Sequence, residues 1–379
     1  MSKEEQFRPG GEGEGRAPKS RRSRLWAGSA CVRVLCAAAW FGVTGGVWAA
    51  DALPASDAHG ALAPRSASAD APSAASAVSA FAQGSAPGAP ASAAASAVAA
   101  SAAVPASMTV PVHPALSPEQ AVEEAHRALA LRDAFAREVT RRLHVPPAAQ
   151  RAYGERLQAA LEQRQLGSLA DEYVVLVDRS ANVQALFIYF RATPDEPWQM
   201  IGASPVGTGR PGQFDHFLTP LGVFEHTPSN MDFRAEGTMN ENGIRGYGKR
   251  DMRIYDFGWV DGERGWGKGG VSPMRFQMHA TDPDRLEPLL GIRHSKGCVR
   301  IPASLNVFID HHGILDAEYE ALVASGKSLW VLHRDRDVTP WAGRYIVVID
   351  SARRTRPAWS PAPGSRARAL VPPGGDTAD

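Results

Sequence analysis

A mainly β domain with a few short helices, preceded by a helical hairpin, is the fold class that the sequence predicts. Three observations predict it. From about Ala170 onward, short runs rich in Val, Ile and aromatics are separated by polar turns: "YVVLVD", "ALFIYF" and "WQMIGASPV". The later run "MRFQMHA" alternates apolar and polar residues with the period of a strand. Ahead of these, Leu131, Phe135, Val139 and Leu143 recur at every fourth position until Pro146 and Pro147 interrupt the pattern. With 379 residues and 44% hydrophobic composition the chain can bury one good-sized core, and a formal net charge of +1 offers no basic surplus for nucleic acid.

The start reads as an export leader. Lys19, Arg21, Arg22 and Arg24 precede the apolar run "VLCAAAWFGVTGGVW", which is short for a membrane span, and "VWA" suits a cut after Ala49. An uncleaved membrane anchor is the other reading of residues 1–49. From Asp51 to about Val112 the chain is almost wholly Ala, Ser and Pro, with no Asp, Glu, Lys or Arg between Asp70 and Glu119. Such a stretch cannot bury a core, so residues 50–116 read as a disordered linker. Ser117 with Gln120 fits a capping box and Pro118 suits a first turn, which starts a helix. A second helix is expected from about Ala148 to Gln165, with Tyr153, Leu157 and Leu161 on one face and Gly167 beyond its end. Residues 117–168 thus form the hairpin, and residues 169–350 the strand-rich domain.

Within that domain "GTGRPG" formally matches a dinucleotide fingerprint. That reading needs a helix to follow, whereas "QFDHFLTPLG" has no helical period and carries Pro220. Ten glycines lie between Gly237 and Gly270, interleaved with Tyr247, Tyr255, Trp259 and Trp266, which makes these four aromatics candidates to line a binding cleft. In "MRFQMHA" the alternation sets Met274, Phe276 and Met278 on one face and Arg275, Gln277 and His279 on the other. The Pro- and Arg-rich residues 351–379 read as a disordered tail.

Cysteine usage isolates one residue. Cys31 and Cys36 fall in the leader, so an exported chain keeps Cys298 alone, in a compartment where thiols tend to be paired. It is an inert buried cysteine, an intermolecular bridge or a reactive thiol. If "CVRI" is a strand, Val299 and Ile301 face the core while Cys298 and Arg300 share the other face, and a permanent positive charge beside sulfur favours thiolate. Gly297 removes a side chain ahead of the thiol, leaving amide N–H groups available to a developing oxyanion. His279 is the leading candidate for a base, with His294 the rival nearer in sequence. Asp282 and Asp284 beside His279 do not complete a zinc set, so no metal is expected.

The pattern from His279 through Ser295, Gly297, Cys298 and Arg300, with fifteen residues between histidine and serine, resembles the signature of the YkuD-type L,D-transpeptidases. "LVDRS", "VGTGRPG" and "TPLGVF" resemble upstream segments of that family in the same order, and the resemblance spans roughly residues 171–333. It implies a closed or sandwich-like β domain. It also implies a cysteine enzyme without cofactor that attacks an L,D-amide of a peptidoglycan stem peptide, expels the terminal D-residue and passes the acyl group to an amine. That amine would come from a second stem or an envelope protein, in the periplasm or equivalent space. Carried over, Cys298 is the nucleophile and His279 the base, the backbone amides of Gly297 and Cys298 are candidate oxyanion donors, and Ser295 and Arg300 stand around them. Ala280 stands where the family usually has glycine, and Lys296 where histidine or arginine is common. Two other readings stand beside this one. The same site could hydrolyse such links as an L,D-carboxypeptidase, or the chain could be a catalytically silent envelope-binding module.

Overall fold

The structure, a computed structural model, describes residues 116–371. The leader, the cut after Ala49, the Ala/Ser/Pro linker and the last residues of the tail lie outside the described residues.

Three helices come first: α1 (Pro118–Leu129), α2 (Leu131–Glu138) and α3 (Pro147–Glu162). The capping box opens α1 as expected: Ser117 Oγ accepts from the Gln120 amide and Gln120 Oε1 accepts from the Ser117 amide. The expected two-helix hairpin needs correction. The first helix breaks at Ala130, and α2 ends at Glu138 with Val139 already extended. The four-residue spacing of Val139 and Leu143 is not helical, because residues 139–145 carry no helical turn and bond to distant parts of the chain instead. Leu143 N–H donates to Ala203 O (2.8 Å), Thr140 N–H donates to Ser304 Oγ (3.0 Å), and Val139 and Val145 are buried there.

Among the described residues, nine strands make two mixed sheets. The first has order β3-β2-β1-β9-β4, from β1 (Val174–Asp178), β2 (Ala185–Phe190), β3 (Gln199–Pro205), β4 (Gly222–Glu225) and β9 (Tyr345–Ile349). Its central pair β1 and β9 is parallel. The second has order β5-β6-β7-β8, from β5 (Phe233–Arg234), β6 (Arg253–Glu263), β7 (Val271–Ala280) and β8 (Val299–Ile301). Here β7 and β8 are parallel. Three further helices are α4 (Ala303–His311), α5 (Ala317–Ala324) and the short α6 (Ser365–Ala369). Helix and strand contribute about equally to the described residues, which together are mixed rather than mainly β. Strands dominate only from residue 169 onward, and three of the six helices lie ahead of them.

The two sheets share one core. Val175, Val177, Leu186, Ile188, Ile346 and Val348 of the first meet Phe257, Phe276, Met278, Val299 and Ile301 of the second. The outer face of the first sheet is covered by α3, whose Tyr153 ring stacks on Phe187 at 4.4 Å, with Leu157 and Leu161 fully buried. Because both faces of β1 and β2 are covered, these strands read as unbroken apolar runs rather than alternating ones.

The described part of the tail, residues 351–371, touches the domain at Trp359 and Ser360. Trp359 lies 5.9 Å from Tyr153 and 6.0 Å from Phe187, and Ser360 is buried with its hydroxyl donating to Val183 O. One tryptophan gives a Pro- and Arg-rich segment an apolar anchor that its composition hides.

Candidate active site

The parallel pairing of β7 and β8 assembles the site. In its register His279 lies opposite Arg300 and Met278 opposite Val299, so Cys298, one residue before β8, falls beside the rung of Gln277. Val299, Ile301, Met278 and Phe276 point into the shared core. The pleat therefore sends Gln277, His279, Cys298 and Arg300 to the opposite face together. Cys298 is half-buried and is a thiol, while His279 and Arg300 are fully buried.

The imidazole is oriented by backbone. His279 Nδ1–H donates to Ala280 O (2.8 Å), which leaves the lone pair of the neutral ring on Nε2. The alanine in place of glycine does not prevent this contact. The Tyr247 ring lies 4.5 Å from that of His279, centroid to centroid, so this candidate aromatic does reach the site. His294 has different surroundings. A Cβ on Gly207 would stand 2.1 Å from its Cε1, so the ring lies directly on that glycine, and its Nδ1–H donates to Ile292 O (3.1 Å). Arg300 Nη1–H donates to His294 O (2.9 Å), which makes this arginine a strut of the loop as well as a charge on the site's face.

The loop before β8 lies against residues 207–210. Gly207 bridges Arg300, Gly209 bridges Ser295, and the amides of His294 and Ser295 donate to Thr208 O. Thr208 N–H is in turn held by Gln184 Oε1 (2.8 Å). "GTGRPG" is thus a backbone rail for the cysteine loop, and the described residues that follow Gly212 form turns and a bridge, not a helix.

Ser295 and Thr219 hold the peptides on either side of the cysteine. Ser295 Oγ–H donates to Cys298 O (2.6 Å) and its oxygen accepts from Gly297 N–H (3.1 Å). Of the two candidate oxyanion donors, the Gly297 amide donates to Ser295. Thr219 Oγ1–H donates to Gly297 O (2.6 Å), and its oxygen accepts from Gly209 N–H (2.9 Å). Gly297 has φ of +144°, and a Cβ there would stand 2.7 Å from Met274 Cε, so only glycine fits.

The other three aromatics divide. Tyr255 does not line the site: paired with Met278, it faces the core, fully buried, with the Arg253 guanidinium 5.0 Å from its ring. Burial pushes its phenol well above the usual range. Trp259 is 69% exposed and opposite Arg275, whose guanidinium lies 5.8 Å from its ring. It shares the face of His279, roughly 13 Å along the strand at about 3.4 Å per residue. Trp266 packs on Phe217 at 4.7 Å, and Phe217 N–H donates to Lys296 O (2.8 Å), so this indole backs the cysteine loop. Lys296 itself points outward, 3.8 Å from Asp215.

No family model and no curated protein matches this chain. The site is therefore read from its own residues. Asp282, considered beside His279, is occupied in capping a turn, accepting from the amides of Arg245, Asp284 and Arg285. A cavity of about 1010 Å³ opens at the opposite end of β1, lined in part by Glu172, Asp171, Glu320 and Arg344. Burial there pushes the Glu172 carboxyl up to about 7, against the pull of Arg344. None of the residues around Cys298 lines it. Nucleophile and base decide where a covalent reaction occurs, and we place the candidate site at Cys298.

Sequence reasoning overlooked Gln184, Thr219 and Asp256. Asp256, fully buried, accepts from Gln277 Nε2 (3.0 Å) and Arg275 Nε (2.9 Å), fixing two neighbours of His279 on the site's face. Thr219 opens a quoted motif, yet only the fold shows what its hydroxyl touches.

Proposed function

We propose that the chain is a cysteine-dependent L,D-transpeptidase of the YkuD type, acting on peptidoglycan stem peptides in the cell envelope. The observation that carries this reading is the placement of Cys298 and His279 on one face of paired strands, with the histidine Nδ1–H fixed on Ala280 O. That arrangement suits a thiol nucleophile and an imidazole base.

In the proposed reaction His279 Nε2 takes the Cys298 proton, and sulfur forms a bond to the carbonyl carbon of the scissile amide. The carbonyl π electrons move to oxygen, and the developing charge is met by the Cys298 amide. As the intermediate collapses, the C–N bond breaks and His279 returns its proton to the departing amine of the D-residue. A thioester remains. An amine acceptor then attacks it, loses its proton to His279, and leaves with the acyl group while sulfur is released and reprotonated. Arg300, on the same face, favours the anionic sulfur throughout. A glycan-linked substrate outside the cytoplasm fits an exported chain, and a long linker would give the domain reach from any anchor.

Incubating the purified protein with tetrapeptide-bearing muropeptides, followed by mass spectrometry, tests the reading. Cross-linked or amine-extended products are expected. Shortened tripeptide products alone would mean that water is the acceptor, and unchanged substrate would support a binding module.

A further inference from the structure

The Gly297–Cys298 peptide group has an orientation that its sequence does not dictate, and one side chain accounts for it. Thr219 is 1% exposed, and its hydroxyl holds the Gly297 carbonyl at 2.6 Å. In a trans peptide the carbonyl and the following N–H point in opposite directions. Drawing Gly297 O toward Thr219 therefore sends Cys298 N–H the other way. The neighbouring peptide is fixed independently, by Ser295 Oγ–H on Cys298 O. Thr219 is itself held: Arg179 Nη1–H donates to its carbonyl, Gly209 N–H donates to its hydroxyl oxygen, and Pro220 follows it.

We infer that Thr219 is a positioning residue that aims the Cys298 amide at the oxyanion of the acyl-transfer transition state. The inference rests on the proposed function, since it assumes that Cys298 is acylated. Thr219 does not touch the reacting atoms; it acts through the Gly297 peptide. Its hydroxyl proton on Gly297 O also polarises that peptide and makes Cys298 N–H a stronger donor. Gly297 allows the arrangement, because its φ of +144° is a conformation that L side chains rarely adopt.

Two reactions of the same thiol separate this role from packing. Acylation by a carbapenem passes through an oxyanion, with sulfur bonding to the lactam carbonyl, the C–N bond opening and the ring nitrogen taking a proton. Alkylation by iodoacetamide displaces iodide and needs no oxyanion donor. Both are measured on the full chain by intact mass. Thr219→Val is expected to slow carbapenem acylation about 10- to 100-fold, below or within the range for outright loss of such a donor, and to leave alkylation at the wild-type rate. Thr219→Ser keeps the donor and is expected to acylate within a few-fold of wild type. Acylation of Thr219→Val at the wild-type rate would overturn the inference. So would a parallel loss of both reactions in that variant, which marks a packing role, or slow acylation with normal alkylation in Thr219→Ser. A wild-type chain that alkylates but never acylates would instead remove the proposed function, leaving the two failures distinguishable.

Discussion

At the scale of single residues, two histidines near one thiol have opposite surroundings, and this divides their expected roles. His279 is oriented through Ala280 O on the face that carries Cys298, whereas His294 lies on Gly207 and lends its carbonyl to Arg300. His279→Ala should slow acylation of Cys298 by roughly 10²- to 10⁴-fold, the usual range for a lost general base, with little change in melting temperature. His294→Ala should do the reverse, lowering stability by about 2 kcal/mol through the void beside Gly207, with acylation reduced far less. Acylation kinetics and denaturant titrations on both variants check this, and the opposite pattern would make His294 the base. Much of this site was legible in the sequence. Alternation in "MRFQMHA" and "CVRI" assigns faces correctly, because a strand's side-chain period is fixed by backbone geometry. Thr219 and Asp256 were not legible, since their partners lie 78 and 21 positions away in the chain and no local period reports such pairings. Tyr255 was misplaced for a related reason. A glycine-rich neighbourhood suggests a cleft but does not say which way a given ring points.

At the scale of elements, the helix ahead of the strands shows where periodicity misleads. Four apolar residues at four-residue intervals fit a single helix, yet Val139 is buried and Leu143 part-buried from a non-helical segment that bonds to Ala203 and Ser304. Burial satisfies the pattern in either conformation, and a distant strand decides between them. The contact that seats α2 on β3 is correspondingly specific. The Phe135 ring lies over Gly202, where a Cβ would stand 2.4 Å from its Cδ1, and it meets Phe308 of α4 edge-on at 5.3 Å. Gly202→Ala should displace the ring and cost about 1–3 kcal/mol, the range for overpacking a core. The loss should appear in the midpoint of urea unfolding. A variant as stable as wild type would mean that α2 is not seated as described.

At the scale of the whole molecule, a buried ionic network joins segments from both sheets and two helices. Arg253, fully buried, donates to Asp232 (2.6 Å), to both oxygens of Asp316 (2.7 and 2.8 Å) and to Asp310 (3.2 Å). Arg234 also binds Asp310, and Arg336 binds Asp316 and Glu320. His226 completes it. Its Nδ1–H faces Leu315 O (2.7 Å) and its Nε2–H faces Asp232 (2.9 Å), so both ring nitrogens meet acceptors. Burial pulls the His226 pKa down and Arg253 opposes protonation, but Asp232 and, more weakly, Asp316 outweigh them and leave it above its ordinary value. Its stabilising contribution is therefore complete below about pH 6.5, the unfolded value, and is lost as pH rises through the higher folded value. His226→Gln should cost about 2 kcal/mol at pH 5.5, the scale of a hydrogen bond to a charged group, and the gap to wild type should narrow at pH 9. Equal gaps in unfolding free energy at the two pH values would refute the protonated assignment. The sequence did not single out His226, because its charged neighbours Asp232, Arg253 and Asp316 come together through the fold alone.

The central claim, that Cys298 is an acylated nucleophile served by His279, is tested most directly by the intact mass of the full chain after incubation with a carbapenem, followed by peptide mapping. The predicted result is a single covalent adduct on Cys298 that is absent from Cys298→Ser, because a serine hydroxyl stays protonated where the thiol ionises. No adduct on Cys298 under conditions where iodoacetamide alkylates it would contradict the claim, as would an adduct that persists in Cys298→Ser.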